Sequence, residues 1–244
     1  MNFSTVLPRL LPFPALRLLD APLGRLLGLP ALERRYGLLR NTGRPIAQEL
    51  LAQLEVACRI SERDLEQIPR AGPVVVVANH PYGILEGAAL AALLEPIRPD
   101  ARFLANGILS LIPEVRDLVI PVDPVGKGAQ NNSGGLRQAL EFLEQGGLLV
   151  VFPVGEVSHL SWRERAVTDP EWHSTAARMV EIASRRGHAP AVVPAYIRGA
   201  NGLLFQAAGL AHPRLRTALL GRELLNKRGR KIEIRIGSPI SAEK

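Results

Sequence analysis

The segment VVVVANHPYGILEGAALAAL, residues 74–93, decides the fold of this 244-residue chain. Its four consecutive valines predict a β-strand that is buried on both faces, because such a run has no polar face to turn towards water. The alanine- and leucine-rich residues after Gly87 favour a helix. Asn79, His80 and Glu86 lie between these two elements. The segment therefore places polar side chains where a buried strand ends.

The same alternation of apolar runs and helical patterns continues along the chain. Helices are expected at 46–66, 134–147 and 168–187, and Asp169 can serve as the N-cap of the last of them. Further strands are predicted at residues 102–106, 118–123, 148–153, 191–198 and 231–237. Strands that alternate with helices predict an α/β fold with a mostly parallel central sheet flanked by helices.

Residues 1–45 are apolar, but prolines and arginines interrupt them throughout. They contain no uncharged apolar run of about 18 residues, so a membrane-spanning helix is not expected. Short amphipathic helices lying on a membrane surface are one interpretation. A helical arm packed on the protein's own core is the other. We therefore divide the chain into an amphipathic helical region for membrane association, residues 1–45, and a main domain, residues 46–244.

The net charge of +7 comes mostly from arginine, since the chain has only four lysines. Arginine pairs well with phosphate and carboxylate groups, so nucleic acid, anionic lipid and an acyl carrier protein are candidate partners. The basic segment 221–231 lacks interleaved aromatic residues, which disfavours nucleic acid. Cys58 is the only cysteine, which excludes an intrachain disulfide and fits a reducing compartment.

His80 and Glu86 are the candidate chemical pair, because open α/β sheets bind ligands outside the carboxyl ends of their strands. A histidine can accept a proton from a hydroxyl group near neutral pH. A carboxylate on its other ring nitrogen would hold the tautomer and stabilise the imidazolium. The alternative is structural, with His80 ending the strand and Glu86 favouring the helix N-terminus. A metal pair is not expected, because His80 has no second histidine nearby in the sequence.

Three segments in the same order, NHPYGILEG (79–87), FPVGEVS (152–158) and VVPAYI (192–197), resemble the motifs of the membrane glycerolipid and lysophospholipid acyltransferase family. The resemblance covers residues 70–200. Residues 215–240 resemble a bacterial branch described as hemolysin-like or ornithine-lipid acyltransferase. The resemblance implies transfer of a fatty acyl group from acyl carrier protein or acyl-coenzyme A to the hydroxyl of a lyso-lipid, such as a lyso-ornithine-type aminolipid or a lysophospholipid, in membrane lipid biosynthesis.

By this resemblance His80 is the general base and Glu86 the acid that orients it. The acceptor hydroxyl attacks the thioester directly, because no activated serine or cysteine is evident. Two features depart from the family pattern. Five residues separate His80 from Glu86 where the family usually has four, and glutamate replaces aspartate.

The second motif supplies the predicted substrate-binding residues Phe152, Gly155, Glu156 and Ser158. Val157 stands where the family has an arginine that contacts the acceptor headgroup. This change disfavours a phosphate-bearing acceptor and slightly favours an aminolipid acceptor. Arg163 or Arg165 can replace the missing arginine, although ordinary surface arginines are commoner.

Lys127 is the cation nearest to another family block, PVDPVGKG (121–128), and is predicted to contact a phosphate or carboxylate group. The resemblance implies no metal and no organic cofactor, since the thioester is a substrate. Membrane lipids and the acyl donor are the expected partners, and nucleic acid is not. The expected location is the cytoplasmic face of the bacterial inner membrane, as a peripheral protein. The alternative function is a non-catalytic lipid-binding peripheral protein that retains the fold.

Overall fold

The computed structural model describes residues 24–40, 42–123 and 132–241. The strands within these ranges are β1 (Ala57–Arg59), β2 (Val74–Ala78), β3 (Arg102–Asn106), β4 (Val119–Val122), β5 (Leu148–Val151), β6 (His159–Ser161), β7 (Ala166–Thr168), β8 (Ala191–Arg198) and β9 (Lys231–Ile236). The helices are α1 (Leu29–Leu39), α2 (Ile46–Gln53), α3 (Glu62–Leu65), α4 (Leu85–Leu94), α5 (Ser133–Glu144), α6 (Thr175–Arg185), α7 (Leu203–Ala211) and α8 (Pro213–Leu225).

Seven of these strands form one sheet in the order β1-β9-β8-β2-β5-β3-β4. Every pair in it is parallel except β8 with β9. β6 and β7 form a separate antiparallel hairpin. The predicted α/β fold with a mostly parallel sheet flanked by helices is confirmed.

β2 lies inside the sheet, between β5 and β8, and its valines face both layers of helices. Val74 and Val76 pack in the same cluster as Leu90 of α4. Val75 points to the opposite side and packs in a cluster with Leu143 of α5. The run of valines therefore reflects burial on both faces, as the sequence predicted.

The predicted single helix over residues 46–66 is wrong. α2 ends at Gln53, and Glu55 adopts a positive φ of 53° that no helix can continue through. The chain then extends as β1, where Ala57 pairs with Lys231 of β9. A strand at this position covers the hydrogen-bonding edge of β9, and this tertiary pairing overrides the helical propensity of the segment.

The helix expected over residues 168–187 is shorter than predicted, since α6 begins only at Thr175. Asp169 is therefore not its N-cap, and Ser174 stands in that position. The carboxylate of Asp169 binds other groups, which belong to the candidate site described below.

The described part of the N-terminal region packs on the main domain. Gly28 approaches Leu225 of α8, and the Tyr36 hydroxyl of α1 donates to Glu114 at 2.6 Å. Residues 1–23 and 41 lie outside the described ranges, and membrane association of residues 1–45 stays a prediction. Among the described residues, no helix is both long enough and apolar enough to cross a bilayer.

Arg98 is buried at the amino-terminal edge of the sheet and ties two central strands together. Its guanidinium donates to three backbone carbonyls in the turns before β2 and β5, those of Pro69, Gly72 and Gly146. It also pairs with Asp100 at 2.7 Å, and Asp100 accepts a hydrogen bond from the Leu148 amide. One buried guanidinium thus hydrogen-bonds to three carbonyls in the turns before β2 and β5.

We expect Arg98→Met to lower the free energy of unfolding by about 3 kcal/mol, because it leaves three turn carbonyls and Asp100 without the buried guanidinium that binds them. Arg70→Met, at an exposed position of the same turn, is the control and should change it by less than about 0.5 kcal/mol. Urea denaturation followed by circular dichroism measures both.

Hydrogen bonds from Arg98 hold the pKa of Asp100 below its usual value. The stability that ionised Asp100 contributes is therefore present above the pKa of the unfolded carboxyl group and is lost as the pH falls through the lower pKa of the folded state. The difference in the free energy of unfolding between wild type and Arg98→Met should become smaller over that acidic range.

Candidate active site

The loop between β2 and α4, residues 79–84, lies at the carboxyl edge of the sheet. β5 and β8 run parallel to β2, so the loops that follow them reach the same edge. Asn79 continues the pairing of β2 with β8 through its side chain, which donates to the Ile197 carbonyl at 2.8 Å and accepts from the Ile197 amide at 2.7 Å. The side chain of Asn79 therefore fixes the start of the loop against β8.

The structure brings the side chains of His80 and Glu86 together despite the five intervening residues. His80 Nδ1 lies 2.9 Å from Glu86 Oε1. This distance is that of a hydrogen bond, although the ring N–H is not aligned along it. The same carboxylate oxygen accepts from the backbone amides of Tyr82 at 2.9 Å and Gly83 at 2.8 Å. The loop thus folds back over the carboxylate, and this fold absorbs the extra residue.

Gly83 makes this fold possible, because its φ of 95° is a conformation that other residues rarely adopt. A Cβ atom at Gly83 would also come within 2.7 Å of Leu220 on α8 and 3.0 Å of Val157. The loop is therefore packed tightly between α8 and the segment after β5.

Glu86 is completely buried, and its pKa nevertheless lies below its usual value. Burial acts to raise its pKa, but the adjacent His80 ring and the amides of Gly83 and Tyr82 outweigh burial, and the net shift is downwards. A buried carboxylate that keeps its charge can hold the histidine ring and stabilise its protonated form.

The segment after β5 supports His80 from the other side. The ring of Phe152 stacks on the His80 ring, with centroids 4.3 Å apart and an angle of 27° between the planes. The Ser158 amide donates to the His80 carbonyl at 2.9 Å. Gly155 turns this segment with a φ of 70°. Since Nδ1 faces Glu86, Nε2 is the ring nitrogen left for a substrate.

Asp169 is a polar residue of this site that the sequence placed elsewhere. Its carboxylate accepts from the Ser158 hydroxyl, from the Trp172 indole at 3.0 Å and from the His80 amide at 3.4 Å. It thus joins the loop after β2 to the segments on both sides of the β6–β7 hairpin. No motif marks this role, because Asp169 follows an exposed strand and resembles an ordinary helix cap.

Glu156 pairs with Arg216 of α8 at 2.7 Å. Arg216 is buried, and Gly209 leaves room for it, since a Cβ there would lie 2.4 Å from Arg216 Cδ. Burial lowers the pKa of Arg216 and the neighbouring Glu156 opposes this shift; an arginine remains charged under these conditions. The arginine beside the second motif therefore comes from α8, whereas Arg163 and Arg165 lie exposed on the turn of the hairpin.

Tyr82 anchors the loop towards β8 and α8. Its hydroxyl donates to the Arg198 carbonyl at 3.0 Å, and Asn201 donates to its backbone carbonyl at 3.1 Å. The ammonium group of Lys227, paired with Glu223 at 2.8 Å, lies 5.4 Å from the centre of the Tyr82 ring. Contacts to β8, to Asn201 and to α8 therefore add to those that the loop makes with the segment after β5.

Lys127 lies outside the described residues, so its predicted contact with substrate stays a prediction. Within residues 24–40, 42–123 and 132–241, no three His, Cys, Asp or Glu side chains are grouped so that they could hold a metal ion.

Residues 50–244 match the profile of a protein family described as Acyltransferase. Among known proteins, the chain is 26% identical over 194 residues to lyso-glycine lipid O-acyltransferase of Phocaeicola vulgatus, covering 75% of this chain and 64% of the relative. It is 24% identical over 190 residues to the protein of the same name in Bacteroides thetaiotaomicron, covering 75% and 66%. The chain thus spans just under two thirds of the length of these relatives.

Glu86→Asp tests how the buried carboxylate shapes the loop. Aspartate is one methylene shorter, so it cannot reach both amides and the histidine ring, and we expect a loss of about 2 kcal/mol in the free energy of unfolding. Glu86→Gln keeps an oxygen for the two amides and loses only the charge. The rate of hydrogen exchange at the Tyr82 and Gly83 amides should therefore rise more in Glu86→Asp than in Glu86→Gln. Glu66→Asp, at an exposed position, is the control. Equal protection of both amides in the two Glu86 variants would contradict this account of the loop.

Proposed function

Because the chain belongs to the acyltransferase family, we propose that it transfers a fatty acyl group from a thioester to the hydroxyl of a lyso-lipid. The observation that carries the proposal is the approach of His80 Nδ1 to the buried Glu86 carboxylate at 2.9 Å. This pairing leaves Nε2 available at the carboxyl edge of the sheet, where open α/β folds bind ligands.

In the proposed reaction His80 Nε2 accepts the proton of the acceptor hydroxyl as its oxygen attacks the thioester carbonyl. Glu86 holds the ring and stabilises the imidazolium that forms. Collapse of the tetrahedral intermediate breaks the carbon–sulfur bond and leaves an ester. The imidazolium returns the proton to the departing thiolate. The donor is an acylated acyl carrier protein or acyl-coenzyme A, and the protein acts peripherally at the cytoplasmic face of the bacterial inner membrane.

The proposed acceptor is a lyso-lipid with an amino acid headgroup, of the ornithine or glycine type. The two similar proteins are both named for a lyso-glycine lipid. An amino acid joined to lipid through its α-amine keeps a free carboxylate. Arg216, held beside the second motif by Glu156, offers the planar donors that suit a carboxylate. A lysophospholipid is the second candidate, since a guanidinium also binds phosphate.

His80→Ala should reduce turnover by roughly 10²-fold or more, the usual scale for loss of a general base. His188→Ala, at an exposed position outside the site, is the matched control and should retain wild-type turnover. The assay uses purified protein, labelled acyl donors and a panel of lyso-lipids. Wild-type turnover in His80→Ala would overturn the direct-attack mechanism. Binding of lyso-lipid by the wild type with no transfer to any acceptor would favour the lipid-binding alternative.

Arg216→Lys and Glu156→Gln distinguish the headgroups. Loss of the planar guanidinium should raise the acceptor KM about tenfold for every carboxylate-bearing lyso-lipid, with little change in the donor KM. If Glu156 also contacts the ammonium group on the ornithine side chain, Glu156→Gln should raise the KM for an ornithine-type acceptor more than the KM for a glycine-type acceptor. Arg70→Lys, at an exposed position in the turn before β2, is the control for Arg216→Lys. Equal changes in the donor and acceptor KM would remove both residues from headgroup recognition.

A further inference from the structure

α7 presents an apolar face to solvent. Its sequence, LLFQAAGLA, contains no charged residue. Phe205 and Gln206 are buried, whereas Leu203 is 89% exposed and Leu204 and Leu210 are nearly half exposed. Single exposed leucines are ordinary on protein surfaces, but several on one uncharged helix form a patch that is typical of an interaction site.

The β6–β7 hairpin extends this apolar face with an aromatic residue and two cations. Trp162 is 73% exposed at the turn of the hairpin, and Arg163 and Arg165 follow it. The Leu160 amide of β6 donates to the Gln206 side chain of α7 at 2.8 Å, which holds the hairpin against the helix. Tryptophan and arginine beside apolar residues suit the boundary between a bilayer and water.

The same face adjoins the candidate active site through polar contacts. Gln206 donates to the Asn201 carbonyl at 3.4 Å, and Asn201 donates to the Tyr82 carbonyl at 3.1 Å. Tyr82 belongs to the loop that carries His80. Ser158, which immediately precedes β6, binds the His80 carbonyl. α7 and the hairpin therefore flank the carboxyl edge of the sheet at which His80 lies.

We propose that α7 and the hairpin turn, residues 203–211 and 162–165, form a docking surface for an anionic lipid bilayer. The uncharged helix would contact the acyl region, and Arg163 and Arg165 would pair with headgroup phosphates. This placement brings the His80 edge to the bilayer surface, where the hydroxyl of a lyso-lipid lies. The inference rests on the proposed function, since it takes the acceptor from the membrane. The inference goes beyond the proposed function because it assigns the membrane contact to α7 and the hairpin rather than to residues 1–45.

Vesicle flotation of the full chain, without acyl donor, tests the helix. The triple variant Leu203→Gln, Leu204→Gln and Leu210→Gln should reduce partitioning onto phosphatidylglycerol-containing vesicles by about tenfold or more, because it removes the apolar face. Ile182→Gln and Ile240→Gln, at exposed apolar positions away from α7, form the matched control and should bind as wild type does. Circular dichroism verifies that each variant is folded.

The hairpin is tested separately. Arg163→Gln and Arg165→Gln should each weaken binding to anionic vesicles about fivefold, and binding to phosphatidylcholine vesicles should not change. Trp172→Phe leaves Trp162 as the only tryptophan, since the chain has two. Its fluorescence should shift to the blue on binding and be quenched by lipids brominated on their acyl chains.

The proposal would be overturned if the triple variant bound vesicles as wild type does, or if Trp162 were not quenched in the bound protein. Membrane attachment would then be assigned to residues 1–45. A triple variant that loses self-association in sedimentation, with vesicle binding unchanged, would identify a second copy of the chain as the occupant and overturn it too. All of these measurements omit the acyl donor. Failure of acyl transfer would therefore refute the proposed function without affecting the docking surface.

Discussion

The carboxylate of Glu86 is the group on which the candidate site depends. A charged side chain removed from water is strongly destabilising unless other groups replace its hydration. The amides of Tyr82 and Gly83 and the ring of His80 do so together. Because those amides lie two and three residues after His80 in the chain, a single oxygen atom both shapes the loop and faces the histidine. The conformation of the backbone and the position of the ring are therefore coupled.

The parallel sheet explains why residues far apart in sequence meet at this loop. β2, β5 and β8 end at the same edge, so the segments that follow them converge there. Asn79 connects the loop to β8, and Ser158 connects it to the segment after β5. Burial of β2 on both faces makes this edge rigid, and a rigid support allows contacts at hydrogen-bond distance to persist.

The arginine excess of the sequence has several different uses. Arg98 is structural, because its buried guanidinium binds three turn carbonyls at the amino-terminal edge of the sheet. Arg216 lies at the opposite edge, beside Glu156 and the second motif. Arg163 and Arg165 remain exposed next to Trp162. A net positive charge therefore cannot by itself identify a ligand, since each guanidinium takes its role from the burial and the partners that the fold gives it.

The sequence by itself determined the α/β fold and the strand that leads to His80, because both follow from local patterns of apolar residues. It also identified Glu86 as the partner of His80, but the unusual spacing left their contact open until the loop conformation at Gly83 was known. Only the tertiary structure assigned Asp169 and Arg216 to the site. Each approaches it from an element distant in sequence, and the helix-like patterns around them carry no sign of those contacts. Their positions follow from how α8 and the hairpin pack on the sheet, and such packing depends on the shape of the whole core rather than on any short segment.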